Sequence, residues 1–447
     1  MKATKIFMMA ALALAFAACS NNDNDFAQQP SAQPANGEIT ITATLDANDG
    51  ASNRALSIDG SNIASTWKTT DQFAILYNNG TENTKSIATV DKIDGTTVTI
   101  TFTVSSSLAN NTACTIVYPA SAANAGNTGA DVATALATQD GTIGNCPEVR
   151  VGTATIDKDN HSLSSVTKLE AQNAIFKFTL QDLSAGAKSA TEFKVSDGSG
   201  NVITTVTPGS ASGELYVALP VMAAGTYWFN ATIDSKPYIA KATTAAATVA
   251  GKYYQTTVKM ATIGDVILSD GKFAVAGTDG ARAKICYLGS ETAEATNGFN
   301  HGLALALSDA STGCKWCTST GNVHTYKAAK SSSFASESGL QYNDVTHDSE
   351  FYPAFQAAIA NNGTAAPTGC SSWFLASGYQ WKQMIGATGL NNLGLTGNAY
   401  YWASTERDAD SAWIISTLDG DWGNWGYIAK DNDSVVSLSR VRACLAF

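Results

Sequence analysis

The sequence predicts a mostly β amino-terminal region of two successive β-sandwiches, followed by a mixed α+β domain. Three features carry that prediction. Strand-length segments of alternating apolar and polar residues recur up to about residue 260, separated by Asn, Gly and Asp turns. Charged residues make up only 15% of the chain, as suits an exported β-protein rich in Thr, Ser and Ala. Beyond Ile263 the composition changes, and seven of the nine tryptophans lie there.

The elements follow in order. Residues 1–18 read as an export signal: Lys2 and Lys5 precede the apolar run Ile6 to Phe16, too short for a stable bilayer span. Ala17 and Ala18 lead into Cys19, the pattern of a bacterial lipoprotein signal in which Cys19 becomes the lipidated first residue. Residues 19–36 form a polar tether, low in apolar residues and expected to be disordered. No later apolar run is long enough for a transmembrane helix, so a lipid on Cys19 is the expected membrane attachment, at the outer membrane.

A first sandwich is expected over residues 37–164. ITITATLD (39–46) alternates Ile39, Ile41, Ala43 and Leu45 with threonines, the period of a half-buried strand. QFAILYN (72–78), TTVTITFTV (96–104) and CTIVYP (114–119) follow, and residues 120–145 read as a long loop or insertion. The second sandwich, 165–262, runs through AIFKFTL (174–180), EFKVSD (192–197), NVITTV (201–206), ELYVALP (214–220), TYWFNATI (226–233) and TTVKM (256–260). The last domain, 263–447, carries helix-like stretches at 302–310 and 350–362 and closes with the strand SRVRACLAF.

The net charge of -11 argues against nucleic acid or an anionic membrane surface as partner. Seven cysteines follow Cys19, five of them after residue 280. CKWC (314–317) lacks the strand–helix setting of a redox motif, so a local disulfide, or pairing with Cys370 or Cys444, is the expectation. The histidines show no metal-ligand spacing, and no catalytic triad, P-loop or dinucleotide fingerprint occurs. The chain is not expected to be an enzyme.

The β region resembles the fimbrillin (Mfa-like) family of Bacteroidota surface lipoproteins. The likeness rests on RALSIDGSNIASTWKTTDQFAILYN, with Trp67 and Asp71, and on TIVYPAS and LYVALPVMAAGTYWFNATI. NNDND after Cys19 resembles the surface-export signal of such lipoproteins. The resemblance implies proteolysis after a basic residue, loss of the first strand, and addition of an extended strand from another fimbrial subunit. Arg54 is the sole Arg or Lys between Lys5 and Lys68, so the implied cut falls between Arg54 and Ala55 and severs the lipid. The mature form is then expected at the fimbrium.

Residues 263–447 resemble C-type-lectin-like modules through SSWFLASGYQWKQMI, YYWASTERDADSAWIIS and SRVRACLAF, with Ala376 where proline is common. The resemblance places Trp402 and Trp413 at structural positions. The loop DGDWGNWGYIAKDND (419–433) differs, because it sets indoles beside carboxylates and amides, as sugar sites do. Asp419, Asp421, Trp422, Asn424, Trp425, Asp431 and Asp433 are therefore the candidate ligand-binding residues for a glycan or a host or bacterial surface protein; the alternative is that Trp422 and Trp425 pack on the loop's base. Asp419, Asp421, Asp431, Asn432 and Asp433 supply enough oxygens for Ca²⁺, yet the usual lectin triplets do not occur, and a solvated acidic loop without cofactor is expected.

Together these readings imply a fimbrial tip or accessory subunit with a lectin-like adhesion domain. A closing strand at the end of the chain could not be donated to a neighbour, which favours the tip. The rival is a non-polymerising, lipid-anchored glycan-binding lipoprotein in which Arg54 is never cut.

Overall fold

The computed structural model describes residues 37–46, 57–59, 62–64, 67–95, 97–289, 298–318, 339–343, 351–418, 425–431, 433 and 436–447. The signal, the tether, Cys19, Arg54 and Ala55 lie outside the described residues, as do Asp419, Asp421, Trp422 and Asn424. Among the described residues the chain is mostly β, with a few short helices. No described helix is long and apolar enough to cross a membrane.

The first sheet uses strands β1 (Glu38–Asp46), β4 (Gln72–Asn78), β5 (Asn83–Asp94), β6 (Thr97–Ser105) and β7 (Thr112–Tyr118). It is completed by β9 (Arg150–Asp157), β10 (Ser162–Ser164) and β11 (Glu170–Ala171). A separate hairpin, β2 (Ser57–Asp59) and β3 (Asn62–Ala64), precedes β4. The spatial order is β1-β6-β5-β4-β7-β9-β10, with β11 also on β9, and every pair is antiparallel. The sheet curls until its ends meet: Thr42 N donates to His161 O at 3.0 Å, and a ring nitrogen of His161 lies 3.0 Å from Thr40 O. Ile41, Leu45, Phe73, Ile75, Ile100, Ile116 and Ile156 fill the interior, all fully buried. At one end Trp67, Phe73 and Tyr118 pack with ring centroids 5.0–5.3 Å apart, in the tilted and edge-on geometries that aromatic quadrupoles favour.

The second unit contains β12 (Asn173–Asp182), β13 (Glu192–Ser196), β14 (Val202–Val206) and β15 (Glu214–Pro220). It also contains β16 (Gly225–Ile233), β17 (Lys236–Thr244) and β18 (Tyr253–Thr262). One layer runs β15-β12-β18 and the other β17-β16-β13-β14, and they face each other across Phe178, Phe193 and Phe229. Residues 120–145, expected as a loop, hold a one-turn helix (Val132–Leu136) and the short strand β8 (Thr138–Gln139). That strand leaves the first unit and pairs in parallel with β14 of the second. A shared apolar layer then joins the units: Leu76, Val117 and Leu136 pack with Ile175 and Ala218.

The last segment has a six-stranded sheet and a four-stranded sheet. The first uses β19 (Val266–Leu268), β20 (Phe273–Ala274), β21 (Ala281–Leu288), β22 (Gly302–Ala306), β23 (Phe374–Leu375) and β28 (Ala443–Ala446), in the order β20-β19-β21-β22-β28-β23. The second uses β24 (Tyr400–Glu406), β25 (Ser411–Ser416), β26 (Trp425–Ala429) and β27 (Ser439–Arg440), in the order β26-β25-β24-β27. Residues 302–310, expected to be helical, instead begin with β22. Its five buried residues lie between β21 and β28, and a Cβ on Gly302 would sit 2.4 Å from Tyr287 O and 2.6 Å from Phe447 Cζ. A helix does form at Pro353–Ala360, with proline at its first position, where the missing N–H costs nothing. Another spans Gly378–Thr388 and is started by a capping box between Ser377 and Gln380.

Candidate functional sites

The first candidate site is the β1 edge. Its nine residues pair with β6 from Glu38↔Ser105 to Asp46↔Thr97. Alternation puts Ile41, Ala43 and Leu45 into the core at 0%, 7% and 0% exposure, while Thr40, Thr42 and Thr44 face outward. Burying Ile41 and Leu45 stabilises the unit by about 1.5–3 kcal/mol each. The strand thus acts as a plug: without it, β6 would present an unpaired edge beside an open apolar core.

The second candidate is the aromatic-rich carboxyl-terminal segment. Trp402 and Trp413 are 1% exposed, and Trp402 Nε1 donates to Cys314 O at 3.0 Å. Trp316 donates its Nε1 to Ala403 O at 2.9 Å, and Trp381 donates its own to Trp402 O at 3.3 Å. These three bonds tie the Cys314–Cys317 loop and the Gly378–Thr388 helix to β24, and so give the buried N–H groups of Trp316, Trp381 and Trp402 their partners. Trp425 is 9% exposed; it opens β26 opposite Ile415 and packs with Trp413, Leu393 and Tyr401 in the core. Of the two loop tryptophans it is the one described, and it packs inward rather than presenting a face to solvent.

The other described candidates do not converge. Asp433 is exposed and pairs with Lys315 at 2.8 Å, and Asp431 is exposed at the end of β26. Among the described residues no three His, Cys, Asp or Glu side chains cluster as metal ligands. The exposed aromatic of this face is Tyr427, 43% exposed, with the Arg407 guanidinium 3.6 Å from its ring centroid and Asp408 bonded to Arg407 at 2.6 Å. Tyr427 shares the face of β26 that carries Trp425 and meets Trp413 edge-on at 6.1 Å, so the period-two pattern of WGYIA would have turned it inward and gave no signal of its exposure.

Two ionic clusters, holding three ion pairs, left no signal in the sequence. Lys430 Nζ lies 2.5 Å from Glu406 Oε1, donates to Ala409 O at 2.9 Å and sits 5.0 Å from the Trp316 ring. Both side chains are at most 1% exposed. Asp309 receives Arg442 at 2.7 Å, Arg440 at 2.9 Å and the Tyr401 hydroxyl at 3.0 Å. Burial pushes the Asp309 carboxyl up, but Arg442 and these hydrogen bonds outweigh it and hold it below the usual range. These contacts fix β27 and β28 in place.

The disulfide expected at CKWC does not form, since Cys314 stands as a free thiol, as does Cys370. The loop is held by main-chain bonds instead: Cys314 N donates to Ser439 O, and Trp316 N to Lys430 O. Burial pushes the thiols of Cys314 and Cys370 up to about 11 and those of Cys114, Cys146 and Cys286 up to about 12, far from a reactive thiolate.

No family model matches the chain, and no curated protein matches it. Among solved structures it is similar to a fimbrial protein from Bacteroides ovatus, at 13% identity and a TM-score of 0.30, over 93% of this chain and 100% of that one. A fimbrial assembly protein from Parabacteroides distasonis aligns at 10% identity and a TM-score of 0.28, over 49% of this chain and 90% of that one. The tip fimbrial protein Mfa3 from Porphyromonas gingivalis, with a C-terminal truncation, aligns at 11% identity and a TM-score of 0.23, over 48% and 84%.

Proposed function

We propose that this protein is a cell-surface fimbrial subunit of tip or accessory type, not an enzyme. It is exported as a lipoprotein through Cys19 and released from its first strand by a cut between Arg54 and Ala55. A neighbouring subunit then adds a strand, and the lectin-like carboxyl-terminal domain adheres to a glycan or surface-protein ligand.

The observation that carries the reading is the position of β1. It is an edge strand, it plugs the first core with alternate side chains, and Arg54 follows it by eight residues in sequence. While covalent, β1 pays no association cost. Once cut, it must meet the loss of rotational and translational freedom, about 4 kcal/mol or more. That is comparable to the burial of Ile41 and Leu45, so a tethered or concentrated strand from a neighbour can displace it.

The test is limited digestion of the purified chain with an arginine-specific protease, followed by hydrogen exchange. Cleavage after Arg54 with rising exchange along Thr97–Ser105, reversed by an added peptide of alternating apolar residues, supports the proposal. Unchanged protection of β6 in the presence of competing peptide would sink it.

A further inference from the structure

The second unit holds an opening of its own. β17 and β18 pair only at Tyr238↔Thr262 and Ile239↔Ala261, and then part. Each is fully paired on its other side, β17 with β16 and β18 with β12, so each turns one unpaired edge to the gap. Among the described residues no backbone hydrogen bond crosses from Ala240–Thr244 to Tyr254–Lys259. The gap is a cavity of about 440 Å³. Its floor is aromatic: Phe176, Tyr227 and Phe229 keep 7–8% of their surface accessible there, over the fully buried Phe178. Phe176 stacks on Tyr254 at 4.9 Å, which holds the floor in shape.

Two features select the occupant. A pair of facing strand edges offers donors and acceptors along a line, which an extended backbone satisfies and a compact ligand does not. Lys241 and Lys259 line the opening, and neither has a carboxylate partner among the described residues. Lys259 is exposed, while Lys241 lies 5.2 Å from the Trp228 ring. We infer that the β17–β18 gap is a second strand-acceptor groove, which takes an extended segment of a neighbouring subunit with alternate apolar side chains and flanking carboxylates. At about 3.3 Å per residue, the open stretch of β18 accommodates about six residues. The inference rests on the proposed assembly role for the source of that segment, and on the β17–β18 geometry for its place.

The test uses the full, uncut chain, whose β1 groove is filled. Labelled peptide EITITATLD is titrated against it by fluorescence polarisation, beside KITITATLK, with hydrogen exchange locating the complex. Saturable binding of the acidic peptide that protects 240–244 and 254–260 supports the inference. So does a ten-fold or greater loss of affinity with Ala242→Trp, which fills the opening from an exposed position, or with Lys259→Glu. Equal binding of both peptides, protection at Thr97–Ser105 alone, or uptake of an apolar dye that the peptide does not displace would each overturn it. If the uncut chain binds nothing here while the Arg54-cut chain accepts peptide along β6, this inference fails and the β1 reading stands.

Discussion

The side-chain amide of Gln139 serves Ala218 as a neighbouring peptide unit would. Its Oε1 accepts from Ala218 N at 2.8 Å, and its Nε2 donates to Ala218 O at 2.7 Å. The same nitrogen reaches Leu136 O and Thr204 Oγ1. Two residues on, Gly141 O accepts from Tyr216 N. Gly141 has φ +75°, and a Cβ there would meet Leu215 and Val206 at 2.9 Å, so only glycine fits. A segment that begins in the first β unit thus closes the second unit between β14 and β15, and couples the two.

Gln139→Leu should therefore strand the main-chain groups of Ala218. Each unsatisfied buried group costs about 1–3 kcal/mol, so the variant is expected to lose about 2–4 kcal/mol in urea unfolding. A loss below half a kcal/mol would show that water or a shifted chain replaces the amide.

Lys430→Met leaves Glu406 charged and buried. The expected cost is about 3–5 kcal/mol, and the double variant Lys430→Met/Glu406→Gln should recover much of it, because the uncompensated charge is gone. Equal destabilisation of the single and double variants would assign the effect to packing against Trp316 instead.

His301 stacks on Trp228 at 3.7 Å and bonds through its main chain to Phe447 O. Burial, with Lys241 nearby, pushes its pKa down from 6.5 to about 4. The unfolded chain then binds the proton first as pH falls. Stability is full above about pH 6.5 and declines toward pH 4, by up to about 3 kcal/mol. His301→Gln should flatten that limb of the pH–stability curve; an unchanged slope would place the titration elsewhere.

Trp425→Ala should destabilise the last segment by about 3–5 kcal/mol, as large-to-small core changes do. Tyr427→Ala, which removes a ring that is 43% exposed, should leave stability within about 1 kcal/mol. Glycan-array binding of both variants separates the surface from the core: loss with Tyr427→Ala at unchanged stability would assign the exposed face to the ligand.

Several strands were legible in the sequence: 39–46 lies where its period-two alternation put it, and 72–78 and 214–220 lie where short apolar runs between turn residues put them, all to within a residue. β5 was not, because Thr84 and Ser86 occupy its inward positions while Ile87 sits on the exposed face, so residue type hides an alternation that the burial shows. β22 was mistaken for helix because GLALA is apolar throughout, and a run buried on both faces carries no period. The role of Gln139 left no trace, since a glutamine acting as a peptide group has no pattern of its own. Trp425 lies in a Gly/Asp/Asn stretch that reads as loop, and its burial comes from tertiary packing against Trp413 and Leu393.

The central claim is that β1 is a replaceable plug, and the most direct measurement is the amino-terminal sequence and lipid state of the protein taken from intact cells. The account predicts a chain that begins at Ala55 and carries no lipid, with an extended segment of another subunit paired along β6. A chain that keeps lipidated Cys19 and residues 38–46 would contradict it and leave the protein a lipid-anchored surface binder.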